Sequence, residues 1–348
     1  MKVLFLTLYP EDAASPRYRV HQFLPYLREH GVECTVLSPT SSDVWRRHTG
    51  PDRVGRALWY HAYETPTRLR QILGAGKYDL VFLQKAVMSS YIHGFDRLLC
   101  HRSRRLILDI DDAVHLAPPH PLRFPWSLAE DPDQVRRLMG RAEKVLCGNA
   151  WLAAEVAEAG GTGTLWPTVV DTDRFAPAAK PLRDFRVGWM GAPSTSTSLK
   201  TIAPALDGLA DGELMVAGAG PKEVHCSRAE YATWNYDTEV KLLQSFSVGL
   251  MPLHRDTWTQ GKCALKALLY MAVGIPCIAT PYGAVTDMIT HGENGWLADS
   301  VDDWREGLEA LRDPQLRQRL GEAARITVEE RFSLKVAAPR LHQHLEQA

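Results

Sequence analysis

The chain has 348 residues, with 40 Lys and Arg against 41 Asp and Glu and a formal net charge of −1. That length exceeds one ordinary hydrophobic core and suits two domains. A charge near zero excludes bulk electrostatic binding of nucleic acid, so anions must be recognised by local patches.

No apolar run is long enough to cross a bilayer. The opening Met1–Tyr9 stretch is too short for a signal peptide, and Glu11-Asp12 follows it without a small-residue cleavage site. It reads as a buried first strand of a cytoplasmic protein. The six cysteines, at 34, 100, 147, 226, 263 and 277, contain no Cys-x-x-Cys pair, which argues against a disulfide framework or structural zinc.

Apolar runs alternate with amphipathic stretches. Strands are expected at 3–8, 33–37, 80–83, 106–110 and 144–147, with helices at 19–30, 67–73 and 133–141 among them. Gly31 reads as a helix stop. A second series gives strands at 187–189, 213–217, 248–251, 277–279 and 295–297, and helices at 199–209, 238–244, 263–273, 301–311 and 314–326. A last helix is expected at 334–345. Strand–helix alternation of this kind makes a parallel sheet covered on both faces. The proline-bracketed joint from Leu165 to Pro177 divides an N-terminal domain, 1–167, from a C-terminal domain, 168–330. Residues 331–348 form a closing helix that packs back on the first. Two such α/β units are expected to face each other across a cleft lined by the carboxyl ends of both sheets.

Lys262 and Lys266 are four apart at the start of the 263–273 helix, so they are expected to share one face there. A helix N-terminus already favours anions, and two ammonium groups added to it suit a diphosphate. The turn Gly283-Ala284-Val285 opens another helical pattern and can present N–H groups to phosphate. Gly191 would let a ligand approach the backbone. Thr195 and Ser196 offer hydroxyls to phosphate oxygens or cap the helix that follows.

Ordered together, four stretches resemble the GT-B glycosyltransferases, and the retaining family 4 type in particular. They are Trp166–Phe175, Gly188-Trp189-Met190-Gly191 with the Ser194–Lys200 loop, Gly218-Ala219-Gly220-Pro221, and Lys262–Pro276 with Gly283 and Asn294-Gly295-Trp296-Leu297. The resemblance implies transfer of a sugar from a nucleotide-diphosphate sugar, the co-substrate, to an acceptor hydroxyl. It also implies retention of anomeric configuration without a metal or other cofactor. Lys262 and Lys266 would neutralise the leaving diphosphate, and Gly218 would lie in the donor turn. The family's glutamate pair on the donor helix is replaced here by Gly261 and Leu269, as in a branch with Lys-x-x-x-Lys. That loss motivates an alternative reading as an inactive nucleotide-sugar-binding protein; a nucleotide-sugar epimerase is a further alternative.

Asp109-Ile110-Asp111-Asp112 ends an apolar strand, and so crowded a set of carboxylates should raise at least one pKa. Asp111, Asp112 or His115, near the place of the family's catalytic histidine, would orient the sugar. Asp256 would stand in for the missing sugar carboxylate. Arg17 and Arg19 suit an anionic group on the acceptor or the donor phosphates, or form the first turn of a surface helix. Trp126, in a proline-rich loop, would stack on the acceptor. The acceptor class is open among carbohydrate, lipid-linked sugar and natural product, with membrane contact at most peripheral, at the inner face.

Overall fold

Leu80–Gln84 and Leu106–Ile110 are buried at all five positions, the pattern of parallel strands covered by helices on both faces. They are β3 and β4 of a six-stranded parallel sheet. Its other strands are β1 (Lys2–Leu6), β2 (Glu33–Leu37), β5 (Lys144–Cys147) and β6 (Gly163–Leu165), in the order β2-β1-β3-β4-β5-β6. The computed structural model describes residues 1–48, 54–119, 121, 126–179, 184–224 and 228–348, with backbone alone at 46–48, 54–61 and 126. The chain divides into two units, Met1–Thr168 with Ala337–Ala348, and Val169–Val336.

The second unit holds another parallel sheet. Its strands are β7 (Val187–Met190), β8 (Leu214–Ala217), β9 (Ala229–Ala232), β10 (Val248–Met251), β11 (Cys277–Ala279) and β12 (Trp296–Leu297), in the order β12-β11-β10-β7-β8-β9. Trp189, Leu250, Ile278 and Trp304 are central to its core. The helix Leu265–Ala272 lies on β10. Tyr270 is fully buried, and a Cβ placed on Gly249 would sit 2.2 Å from its ring. The Tyr270 hydroxyl accepts the Met190 N–H at 2.9 Å, tying this helix to the end of β7. Strand order reverses between β1 and β3 in the first sheet and between β7 and β10 in the second. Loops leaving such strands part to opposite faces, which is where open α/β sheets bind ligands.

Some local expectations give way. The 19–30 helix is broken into Ala14–Arg19, a turn at His21–Phe23, and Leu24–Glu29, whose first turn holds Pro25. The segment before residue 203 is a tight 3₁₀ run, Pro193–Ile202. The hydroxyls of Thr195, Ser196, Ser198 and Thr201 each donate to the carbonyl three residues back. Such bonds compete with a regular helix. The closing helix, Leu334–Gln347, starts in the second unit and ends in the first. There His344 meets the Trp166 ring edge-on, with centroids 5.6 Å apart.

Candidate active site

In the second unit, loops from the carboxyl ends of four strands converge. Gly218, after β8, has φ +82°, and a Cβ there would lie 2.6 Å from the Gly191 carbonyl oxygen after β7. Only glycine permits that approach without strain. Lys266 reaches the same turn from the helix Leu265–Ala272. Its Nζ donates to Thr195 Oγ1 at 3.1 Å and stands 4.2 Å from the centre of the Trp189 ring. A Cβ on Gly191 would fall 2.7 Å from that Nζ. Burial, with the charge of Lys262 adding to it, pulls the Lys266 ammonium down to about 7. A Cβ on Gly283, after β11, would lie 3.0 Å from the Gln260 carbonyl oxygen, and Tyr282 donates to the Asp256 carbonyl at 3.2 Å. The turn that opens at Ala284 and Val285 is thereby set beside the segment carrying Lys262.

Lys262 is not on the helix with Lys266. That helix begins at Leu265, after Ala264 in a left-handed conformation (φ +53°), and Lys262 lies in the turn after Thr257–Gln260. The two amines share a site through chain reversal and not through helical spacing. Asp256 is also reassigned: its side chain accepts the Thr259 N–H at 2.6 Å and caps Thr257–Gln260. Burial raises its pKa, but the Thr259 bonds and Lys262 outweigh that and hold it low. Ser196 does not face a ligand, since it is 1% exposed and donates to the Pro193 carbonyl at 2.8 Å. The side chains of Ala284 and Val285 are buried, leaving backbone N–H groups as their contribution.

In the first unit, a second cluster gathers at the reversal between β1 and β3. Ser15 Oγ donates to Asp111 Oδ2 at 2.5 Å, and Gln84 Nε2 donates to Ser15 Oγ at 2.5 Å. Lys85 Nζ lies 3.3 Å from Asp111 and 3.5 Å from Asp112. Burial raises the Asp111 pKa, but Lys85, Arg19 and the Ser15 bond outweigh it and keep the carboxyl below its usual range. Asp109 is the carboxyl that rises, to about 6, but burial and not crowding is the main cause, against the pull of Arg19 and with Asp111 adding a little.

Arg19 is not an acceptor ligand. It is 1% exposed; its guanidinium forks onto both Asp109 oxygens and donates to the Trp166 carbonyl at 2.8 Å. A buried arginine paired in this way organises the domain and is closed to a substrate. His115 is likewise withdrawn. Its side chain is buried against Trp151, with Nε2 3.0 Å from Glu155, and burial lowers its pKa despite that carboxylate. Arg17 is half-buried and donates to the Asp12 carbonyl at 2.9 Å. The side chain of Trp126 and the loop at 122–125 lie outside the described residues.

Lys85, Gln84 and Ser15 escaped sequence reading. Gln84-Lys85 directly follows a strand bound for the sheet's carboxyl edge, and that placement was the available signal. Among the described residues, no group of three or more His, Cys, Asp or Glu side chains is placed to hold a metal ion. Nor is any described helix long and apolar enough to cross a membrane.

Comparison with known proteins agrees with this geometry. Residues 186–313 match the family profile "Glycosyl transferases group 1". Over 134 residues the chain is 28% identical to N-acetyl-alpha-D-glucosaminyl L-malate synthase of Bacillus anthracis, covering 35% of this chain and 34% of that protein. Over 118 residues it is 32% identical to D-inositol 3-phosphate glycosyltransferase of Pseudarthrobacter chlorophenolicus, covering 33% of this chain and 25% of that one. The matches thus span about a third or less of those relatives' lengths. The crystal structure of Anabaena HepE in complex with UDP and glucose superposes over 100% of both chains, with a TM-score of 0.71 and 15% identity. The fold is that of the GT-B glycosyltransferases, built from two Rossmann-like units. The second unit carries a glycosyl transferases group 1 domain.

Proposed function

We propose that the protein moves a sugar from a nucleoside-diphosphate sugar to an acceptor hydroxyl, retaining anomeric configuration and using no metal. The observation that carries this is the Lys266 ammonium, buried beside the Gly191 turn with a neutral hydroxyl as its hydrogen-bond partner and Lys262 as a second cation nearby. A buried cation without a counter-charge suits a ligand that brings negative charge. As the bond from the anomeric carbon to the diphosphate oxygen breaks, charge grows on that oxygen, and Lys262 and Lys266 stabilise it. The acceptor oxygen forms the new bond on the same face, and its proton passes to the departing phosphate oxygen. No strong protein base is needed. The backbone N–H groups at Ala284 and Val285 supply further donors to the diphosphate.

The acidic pair Asp111–Asp112 presents a carboxylate to sugar or acceptor hydroxyls in this reading. Lys85 supplies positive charge between them, which supports a reaction without a divalent ion. With Leu269 apolar and 2% exposed, the ribose is held by groups other than a donor-helix carboxylate. UDP-sugars are the donors to try first, since Anabaena HepE binds UDP and glucose.

The test is a thermal-shift screen of nucleoside diphosphates and their sugars, followed by transfer assays with wild type and Lys266→Ala. The correct nucleotide stabilises the protein by mass action. Loss of that stabilisation and of transfer in the variant supports the assignment. Tight nucleotide binding without transfer or hydrolysis would favour a binding protein, and interconversion of the sugar without an acceptor would favour an epimerase.

A further inference from the structure

Lys85 follows the last residue of β3 and adopts a left-handed conformation, φ +68°. Lysine pays a steric penalty there that glycine would not. Its N–H donates to the Asp109 carbonyl at 2.7 Å, locking the turn to the neighbouring strand. The bend ends the alternation of β3 and brings the ammonium between the two carboxylates after β4.

Those carboxylates are not equivalent. Asp111 takes Ser15 Oγ on one oxygen, and Lys85 Nζ and Gln84 Nε2 on the other. Asp112 takes the Ala113 N–H on one oxygen at 3.1 Å and the more distant Lys85 on the other. Its side chain is 23% exposed against 11% for Asp111. A carboxylate accepts about four hydrogen bonds, so Asp112 keeps capacity on an accessible face.

We infer that Lys85 is a positioning residue that locks Asp111 as structure and sets Asp112 to accept a hydrogen bond from a substrate hydroxyl. This rests on the sugar-transfer reading and divides the labour of its acidic pair. The other titratable and charged groups around Lys85 and the pair are Tyr9 after β1, Arg19 on Ala14–Arg19, Asp109 on β4 and Tyr91; Glu64 on Val54–Leu73 acts on Tyr9, and Glu130 on Tyr91. Arg19, the other cation acting on Asp111, is already committed to Asp109.

The test uses Lys85→Gln and Lys85→Arg, with initial transfer rates across roughly pH 5–9 and donor affinity by calorimetry. Lys85→Gln is expected to lower kcat/KM for the acceptor about tenfold or more, and to move its acidic limb up by about one pH unit, because two uncompensated carboxylates share a proton. Donor affinity should stay within about twofold, and Lys85→Arg should restore most of the loss. A folded Lys85→Gln protein with wild-type acceptor kinetics and an unmoved acidic limb overturns the inference. Should that variant not fold, Asp112→Asn keeps the Lys85–Asp111 contact; wild-type transfer by it overturns the inference equally. A wild-type protein that binds no nucleotide sugar would instead defeat the functional reading.

Discussion

Lys266 Nζ lies 3.1 Å from Thr195 Oγ1, and the charge that acts on it is another cation, Lys262. A lysine in such surroundings sheds its proton near pH 7, well below its ordinary value of 10.5. Between these values the unfolded chain holds a proton that the folded chain has released. The Lys266 contribution is therefore most unfavourable below pH 7, and stability rises as pH climbs from about 7 to about 10.5. A diphosphate favours the charged form. Donor affinity is expected to fall above pH 7 by up to about tenfold per unit, with proton uptake on binding. Calorimetry at pH 8 in two buffers of different ionisation enthalpy checks this; identical heats would refute it.

Removing the amine separates its two roles. Lys266→Met should weaken diphosphate binding by about ten- to a hundredfold, the worth of a charge-assisted hydrogen bond. At pH 6, where the wild-type amine is charged, the same variant should melt no lower than wild type, because a buried cation has been replaced by an apolar chain. A lower melting temperature together with unchanged binding would mark Lys266 as structural.

Two glycines make a matched pair. In Gly191→Ala the new Cβ meets the flexible end of Lys266 and, at 2.8 Å, the buried Trp189 ring, so the amine is displaced, with an expected loss of about tenfold in donor affinity and a stability cost smaller than that of the second glycine. In Gly249→Ala it meets the Tyr270 ring at 2.2 Å, where a fully buried side chain is anchored by the Met190 N–H. That substitution should destabilise by about 1–3 kcal/mol or more through overpacking. Urea denaturation and calorimetry on both variants read the contrast.

Arg19→Met and Asp109→Asn each strip one partner from a buried ion pair. Each is expected to cost about 3–5 kcal/mol, while the double variant recovers part of the loss because no uncompensated charge remains. Equal stability of all three with wild type, by denaturant unfolding, would contradict the structural role assigned to Arg19.

The sequence by itself determined the doubly wound class and the strands that carry the site. Continuous apolar runs such as Leu106–Ile110 and Cys277–Ala279 announce buried parallel strands whatever surrounds them, because the signal is local. The short strands Gly163–Leu165 and Ala229–Ala232 were not legible, since pairing with a neighbour and not composition makes them strands. Lys266 and the Gly191 turn were legible as candidates, although the helical spacing read between Lys262 and Lys266 does not exist in the fold. What only the tertiary structure decided is which polar groups are already spent. Arg19, His115, Ser196 and Asp256 looked as available as Lys266 along the chain, and the fold commits them to Asp109, Glu155, the Pro193 carbonyl and the Thr259 N–H. Lys85 met Asp111 and Asp112 only through the β3–β4 pairing and a left-handed turn. The reason is physical: hydrophobic periodicity is written within a few residues, whereas hydrogen-bond partners at a sheet's carboxyl edge come from segments tens of residues apart.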